Sequence, residues 1–184
     1  MKQKIIAILG LPGSGKTATI NYLMNKHGWP KVYFGDVTFD EMKQRGLEIN
    51  EKNERLVREE LRATFGLMVY TKRVIKKIEV IPNEPVILIE SLYSWEEYLY
   101  FKDRFGSNFN TIAIYASPKT RYQRLSNRPQ RPLKPEEAQS RDHAQIVNIT
   151  QAGPIAMANF TIDNEGTLEK LYSKIDNVIS EIGT

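Results

Sequence analysis

The stretch Gly10-Leu11-Pro12-Gly13-Ser14-Gly15-Lys16-Thr17 constrains this chain more than any other. It satisfies G-x-x-x-x-G-K-[ST] at every fixed position and lies between an apolar run, Lys4 to Leu9, and a segment of helical composition. That strand, loop and helix context raises it above a chance match. Glycines let the backbone curl so that successive N–H groups converge on phosphate oxygens, and the helix behind adds the positive end of its dipole. Gly10, Gly13, Ser14 and Gly15 form the expected cradle. Lys16 is placed to reach the β- and γ-phosphates of ATP, and Thr17 to offer its hydroxyl to the Mg2+ that bridges them. The competing reading is a glycine-rich turn followed by a solvated lysine.

The loop implies nucleotide phosphate binding and leaves the reaction open, because GTPases, ATPases and small-molecule kinases share it. A guanine-specific N-K-x-D is absent: Asn25-Lys26 is followed by His27 and Gly28. A long ATPase core with a sensor domain does not fit in 184 residues, about one domain's worth. A small-molecule kinase does fit. Apolar residues at 41% and charged residues at 26% exclude a largely disordered chain. With no cysteine there is no disulfide framework, thiolate metal site or cysteine nucleophile. The longest apolar runs fall far short of the roughly 20 residues of a membrane span, and no cleavable leader is evident, so a cytoplasmic protein without a membrane partner is expected.

The formal charge of +4 is unevenly placed. From Phe105 to Pro135 there is no acidic residue, while Lys119, Arg121, Arg124, Arg128, Arg131 and Lys134 contribute +6. This excess suits a local anionic ligand better than a general nucleic-acid surface. No aromatic stacking series accompanies it, which counts against single-strand binding.

Strand-like runs at Lys4 to Leu9, Val32 to Phe34, Val86 to Ile89, Thr111 to Tyr115 and Asn159 to Ile162 alternate with helical stretches. The pattern predicts one α/β domain, residues 1–184, with a parallel sheet covered by helices on both faces. Ser117-Pro118 reads as a helix start. Leu168, Leu171, Ile175, Val178, Ile179 and Ile182 form an apolar stripe on a last helix. A helical insertion occupies about residues 37–82. The proline-rich, basic stretch 127–135 reads as a mobile lid.

Several motifs beyond the loop carry a resemblance. Gly35-Asp36-Val37, Lys43 to Glu48, Val57 to Arg62, Ala116 to Arg121, Arg141-Asp142 and Asn164-Glu165-Gly166 together resemble the mainly archaeal P-loop proteins described as adenylate-kinase-related or dephospho-CoA-kinase-like. The resemblance spans nearly the whole chain. It implies a P-loop, three-layer α/β/α fold of the nucleoside-monophosphate-kinase type: a five-stranded parallel sheet in order 2-3-1-4-5, a helical acceptor-side insertion and an arginine-bearing short lid. It also implies a Mg-dependent ATP:small-molecule phosphotransferase with a nucleotide or dephospho-CoA-like acceptor. One departure stands out. Where similar sequences end the third strand in Asp-Gly followed two residues later by Arg, this chain has Glu90, Ser91 and Tyr93. Glu90 keeps a carboxylate able to hold magnesium-bound water.

Asp36, by the same resemblance, orients or deprotonates the acceptor hydroxyl or holds Mg2+ through water; the alternative is a helix N-cap. Arg128 and Arg131 are placed to stabilise charge on the transferring phosphoryl group, and Arg124 to flank the adenine. A solvated basic face is the alternative. Asn164 lies near the expected adenine loop, with capping as its alternative. Arg141 either returns to the phosphates or pairs with a neighbouring acid. Arg58 and Arg62, four apart on one helix face, either clamp an anionic acceptor or make surface pairs with Glu54, Glu59 and Glu60. Tyr93 and Trp95 either line the acceptor cleft or pack. His27 and His143 have no partner at metal-ligand spacing. Two rival readings remain: an ATP-binding regulatory protein and a nucleic-acid-end kinase. The oligomeric state is open.

Overall fold

The structure is a computed structural model that describes residues 3–66, 68–81, 83–129 and 132–184. Five strands, β1 (Lys4–Leu9), β2 (Lys31–Tyr33), β3 (Val86–Glu90), β4 (Phe109–Tyr115) and β5 (Phe160–Asp163), form one parallel sheet in the order β2-β3-β1-β4-β5. Every pairing is parallel, so each connection must cross the sheet, and helices supply the crossovers. The continuous apolar runs follow from burial on both faces. Ile5, Ala7 and Leu9 face one core layer, while Ile6 and Ile8 face the other.

The second layer is built on α1 (Lys16–His27) and α9 (Leu168–Ile182), whose Ile20, Leu23, Leu171, Ile175 and Ile179 pack beneath β1 and β4. Leu168, expected in the apolar stripe, is instead half exposed. It is the first residue of α9, just after the N-cap Thr167, where the helix has not yet settled on the sheet.

Between β2 and β3 stand α2 (Asp36–Gln44), α3 (Glu51–Phe65) and α4 (Val69–Glu79), which match the expected helical insertion. Met42, Val57, Leu61, Val74 and Ile78 bury their faces in the first core layer. α5 (Trp95–Phe105) starts at a capping box between Ser94 and Glu97 and drives Phe101 among Phe34, Phe105 and Phe109. After β4, Ser117 caps α6 (Pro118–Ser126), with Pro118 in its first turn. α7 (Pro135–Asn148) follows, then the short α8 (Ala152–Ala156).

Helices α6 and α7 are joined by a buried ion pair. The two terminal guanidinium nitrogens of Arg121 donate to the Asp142 carboxylate, at 2.9 and 2.6 Å, and the side chains are 4% and 5% exposed. Arg121 was counted above among the cations awaiting an anionic ligand. Its charge is in fact spent inside the protein, because Asp142 returns from seven residues beyond the basic stretch.

Removing one member of such a pair strands a buried charge. Arg121→Leu is therefore expected to lower unfolding free energy by about 3–5 kcal/mol, and Arg121→Leu/Asp142→Leu to recover part of that loss, since the Ala116 and Pro12 carbonyls that Arg121 also serves stay unpaired. Denaturant melts of the three proteins measure both effects. A single variant as stable as wild type would contradict the pairing.

Candidate functional site

The loop between β1 and α1 takes its shape from where its carbonyls point. The Gly10 carbonyl accepts from Gln151 Nε2 at 3.0 Å, that of Pro12 from Arg121 at 3.1 Å, and that of Ser14 from Asn164 Nδ2 at 2.7 Å. Arg124 reaches the Gly13 carbonyl at 3.5 Å, and Lys16 Nζ lies on the Leu11 carbonyl at 3.1 Å. Each carbonyl from residue 10 to residue 14 is thus engaged by a donor. α1 opens at Gly15 with no side-chain cap and no acidic residue in its first turn. Its first N–H groups and the positive end of its dipole are therefore left for an anion.

Two glycines are required by this packing. Gly13 has φ +79°, and a Cβ there would come within 2.7 Å of the Arg121 carbonyl oxygen. At Gly15, with φ +112°, a Cβ would collide with the Asn164 amide. Gln151 and Asn164 are both buried.

A cleft of about 250 Å3 opens beside the loop, between Gly13, Gly15, Lys16 and Thr17 on one wall and Arg124 and Arg128 on the other. Of the expected phosphate and base residues, Gly10, Ser14 and Asn164 do not line this cleft. Arg124 also donates to the carbonyls of Asn164 at 2.9 Å and Gly166 at 3.4 Å, which ties α6 to the loop after β5. Asn164 lies at that junction with its amide committed to Ser14, so it shapes the cradle from behind. Glu165 accepts from the Ser117 N–H and the Thr120 hydroxyl, which hold its carboxyl below the usual range. Arg131 lies outside the described residues. The lid assigned to 127–135 is described at residues 127–129 and 132–135, with Leu133 N–H on the Leu125 carbonyl. A larger cleft of about 310 Å3, lined by apolar groups such as Ile114, Pro118 and Ile155, touches Gly10, Leu11 and Ser14 rather than Lys16 or Thr17.

Lys16 is held down to a pKa of about 8, first by burial and next by the charge of Arg141 on α7, with Glu90 opposing. At the end of β3, Glu90 divides its oxygens: Oε1 accepts from the Thr17 hydroxyl at 3.4 Å, and Oε2 pairs with Lys31 at 2.7 Å. Thr17 and Glu90 are hard oxygen donors facing each other at the loop. They fit Mg2+, which binds through one or two protein oxygens plus phosphates and water. Among the described residues there is no group of three or more acidic or histidine side chains able to hold a metal alone.

Asp36 is the first residue of α2, and neither it nor the N-cap Gly35 makes a side-chain cap. Burial, reinforced by Asp40 and Glu90 and opposed by Lys77 and Lys31, raises its carboxyl above the usual range. This stands against the purely capping alternative. Arg58 pairs with Glu54 at 3.6 Å, while Arg62 lies over the Tyr70 ring at 5.2 Å. Trp95 stacks on Tyr98 and covers Gly153, so it packs rather than lines a cleft. Tyr93 is half-buried and donates to the Ser91 hydroxyl at 2.8 Å.

The residues to which sequence reasoning gave no role are Gln151, Asp142, Glu165 and Lys31. Asp142 and Glu165 lie within motifs that carry the resemblance, but they and Gln151 act on partners distant in the chain, which no local pattern announces. Lys31 reads as an ordinary solvated lysine until β2 is paired with β3.

A family profile described as an AAA domain matches residues 6–147. The UPF0200 protein of Thermococcus kodakarensis is 29% identical over 182 residues, covering 97% of each chain. That of Methanocaldococcus jannaschii is 31% identical over 181 residues, covering 97% of this chain and 90% of the relative. Among solved structures, a Thermus thermophilus protein superposes with a TM-score of 0.73 at 19% identity over the whole of both chains. The shikimate kinase of Bacteroides thetaiotaomicron gives 0.62 at 14% identity, over 96% of this chain and 98% of the other. The fold is thus the P-loop kinase-like one, with the sheet order that the resemblance implied. By its match along nearly all of its length, the chain belongs to the UPF0200 family of P-loop proteins.

Proposed function

We propose that this protein is a Mg-dependent ATP:small-molecule phosphotransferase. The observation that carries the reading is the loop whose Gly10, Pro12 and Ser14 carbonyls are held by Gln151, Arg121 and Asn164, beside a cleft walled by Lys16, Thr17, Arg124 and Arg128. The N–H groups and Lys16 bind the β- and γ-phosphates, and Arg124 flanks the base. Thr17 and Glu90, with Asp36 through water, would hold Mg2+, which when bound neutralises phosphate charge. Asp36, with its raised pKa, takes the proton of an acceptor hydroxyl. The acceptor oxygen forms a bond to the γ-phosphorus as the bond to the bridging oxygen breaks, and ADP leaves. Arg128 and Arg131 meet the charge of the transferring group, and closure of the lid excludes water that would otherwise hydrolyse ATP. The acceptor is a small molecule rather than a nucleic acid, and the protein works in the cytoplasm.

The test is ADP release over a panel of dephospho-CoA, nucleoside monophosphates, nucleosides and a 5′-hydroxyl oligonucleotide. Acceptor-dependent release is expected with a small molecule. Asp36→Asn should lower turnover about 10²-fold or more with ATP affinity nearly unchanged, since the base acts on the acceptor side. Tight ATP binding with flat release across the panel would contradict the phosphotransferase reading.

The lowered pKa of Lys16 sets a pH dependence for nucleotide binding. Phosphate favours the charged amine, so binding draws the pKa up from about 8. Affinity should hold below pH 8, fall by up to about tenfold per unit above it, and be accompanied by proton uptake in calorimetry. For folding the sign reverses. The unfolded chain keeps this lysine near 10.5 and binds more protons between about 8 and 10.5, so its contribution to stability rises with pH through that window. Nucleotide affinity that is flat to pH 10 would remove Lys16 from the phosphates.

A further inference from the structure

The larger cleft, of about 310 Å3, has no part in the mechanism above. One wall is the loop itself, at Gly10, Leu11 and Ser14; a second is the end of β4, at Ile114 and Tyr115; α7 and α8 close it with Ile146, Ala152 and Ile155. Lys16, Thr17, Asp36 and Glu90 are not among its lining residues. Tyr115, Ile146 and Ala152 are exposed, so apolar surface that could be covered is held open to solvent in a concave form. Concave apolar surface with a few convergent polar groups is the usual form of a small-molecule site.

The polar group is present and unused. Ser14 is 1% exposed, and its Oγ has no hydrogen-bond partner among the described residues. It stands against the Gly10 wall, where a Cβ on Gly10 would come within 2.6 Å of it. Gln151, just before α8, holds the Gly10 carbonyl through Nε2 at 3.0 Å and leaves its own buried Oε1 unpartnered. A buried hydroxyl without a partner carries a cost that a ligand's polar group removes.

Charge and size narrow what fits. Arg121 is the one charged residue of the lining, and its guanidinium is already matched by Asp142 at 2.9 and 2.6 Å. An anionic ligand would have to compete with that buried carboxylate, and a cationic one would meet no acid in the lining. The cleft has about twice the volume of the ~150 Å3 apolar cavity that holds one benzene, which suits one or two rings.

We infer that this cleft is an effector site for an uncharged, largely apolar molecule of one or two rings whose polar group bonds the Ser14 hydroxyl, and that its occupancy strengthens nucleotide binding. The inference rests on phosphate binding at the loop and not on the transfer step. The coupling follows from the shared wall. A ligand packed on Gly10, Leu11 and Ser14 favours the loop conformation whose Gly10 and Ser14 carbonyls are turned to Gln151 and Asn164, the conformation that leaves donors for phosphate. Two ligands that favour one state of a shared element help each other, by the same factor in each direction.

The test is calorimetric titration of the full chain with indole, with and without a saturating non-hydrolysable ATP analogue and Mg2+. Indole should bind saturably, roughly two- to tenfold more tightly than indene, which has its shape but no N–H, as expected for one neutral hydrogen bond. It should also bind more tightly than indole-2-carboxylate. Ser14→Ala should remove the difference between indole and indene. Ala152→Leu, which fills the cleft from an exposed position, should weaken indole about tenfold or more while melting temperature and affinity for the analogue alone stay as in wild type. Saturating indole should tighten the analogue about fivefold or more, and the analogue should tighten indole by the same factor.

Competition between indole and the analogue, non-saturable binding, or binding indifferent to Ala152→Leu would overturn the site. Preference for the carboxylate would overturn its charge class, equal affinity for indene the role of Ser14, and unchanged analogue affinity the coupling. Failure of the analogue to bind at all, with or without indole, would overturn the phosphate-loop reading and the coupling with it.

Discussion

The capture of loop carbonyls by distant side chains is the interaction on which the rest of the site depends. A backbone turn presents donors and acceptors in equal number, so an anion-binding turn must dispose of its acceptors. Here Gln151, Arg121 and Asn164, from three separate elements after β4, draw the carbonyls of Gly10, Pro12 and Ser14 into the protein. Apart from the Ser14 N–H, which donates to the Leu11 carbonyl at 3.2 Å, the loop donors are thereby left to an anion, and dipoles fixed in advance are the most effective ones. The sheet order places those elements beside β1: β4 is its neighbour, and β5 lies one strand beyond.

The same arrangement accounts for the charge distribution. A run of six cations without an acid looks like a single patch in the sequence, yet the fold divides it by depth. Arg121 is sunk between α6 and α7 with Asp142, Arg124 is half-buried against backbone carbonyls, and Lys119 stays in solvent. The cation nearest the chemistry, Lys16, lies outside the run and is brought under Arg141 from α7. Burial first, and then the charge of Arg141 from α7, lower the pKa of the loop lysine.

The fold was legible in the sequence because its signals are local and strong. The strand runs are apolar throughout, Ser117-Pro118 opens a helix where expected, and the loop motif fixes eight consecutive residues between β1 and α1. What escaped is what depends on residues far apart in the chain. Gln151 is separated from Gly10 by 141 positions and Asn164 from Ser14 by 150, and neither spacing has a periodic signature. Leu168 shows the complementary failure: a helical stripe reports which side of a helix is apolar and not where the helix first touches the sheet. Arg58 and Arg62 look identical by spacing, but one pairs with Glu54 and the other lies on an aromatic ring, a distinction only tertiary packing makes.

Glu90 gives one oxygen to Thr17 and the other to Lys31, so a single carboxylate ties the start of α1 to β2. Any ligand that draws Glu90 toward Thr17 weakens its hold on Lys31, and any ligand that takes Lys31 frees Glu90. By reciprocity the two effects are equal in free energy. A ligand at Thr17 and a ligand at Lys31 would thereby be coupled in free energy through one side chain.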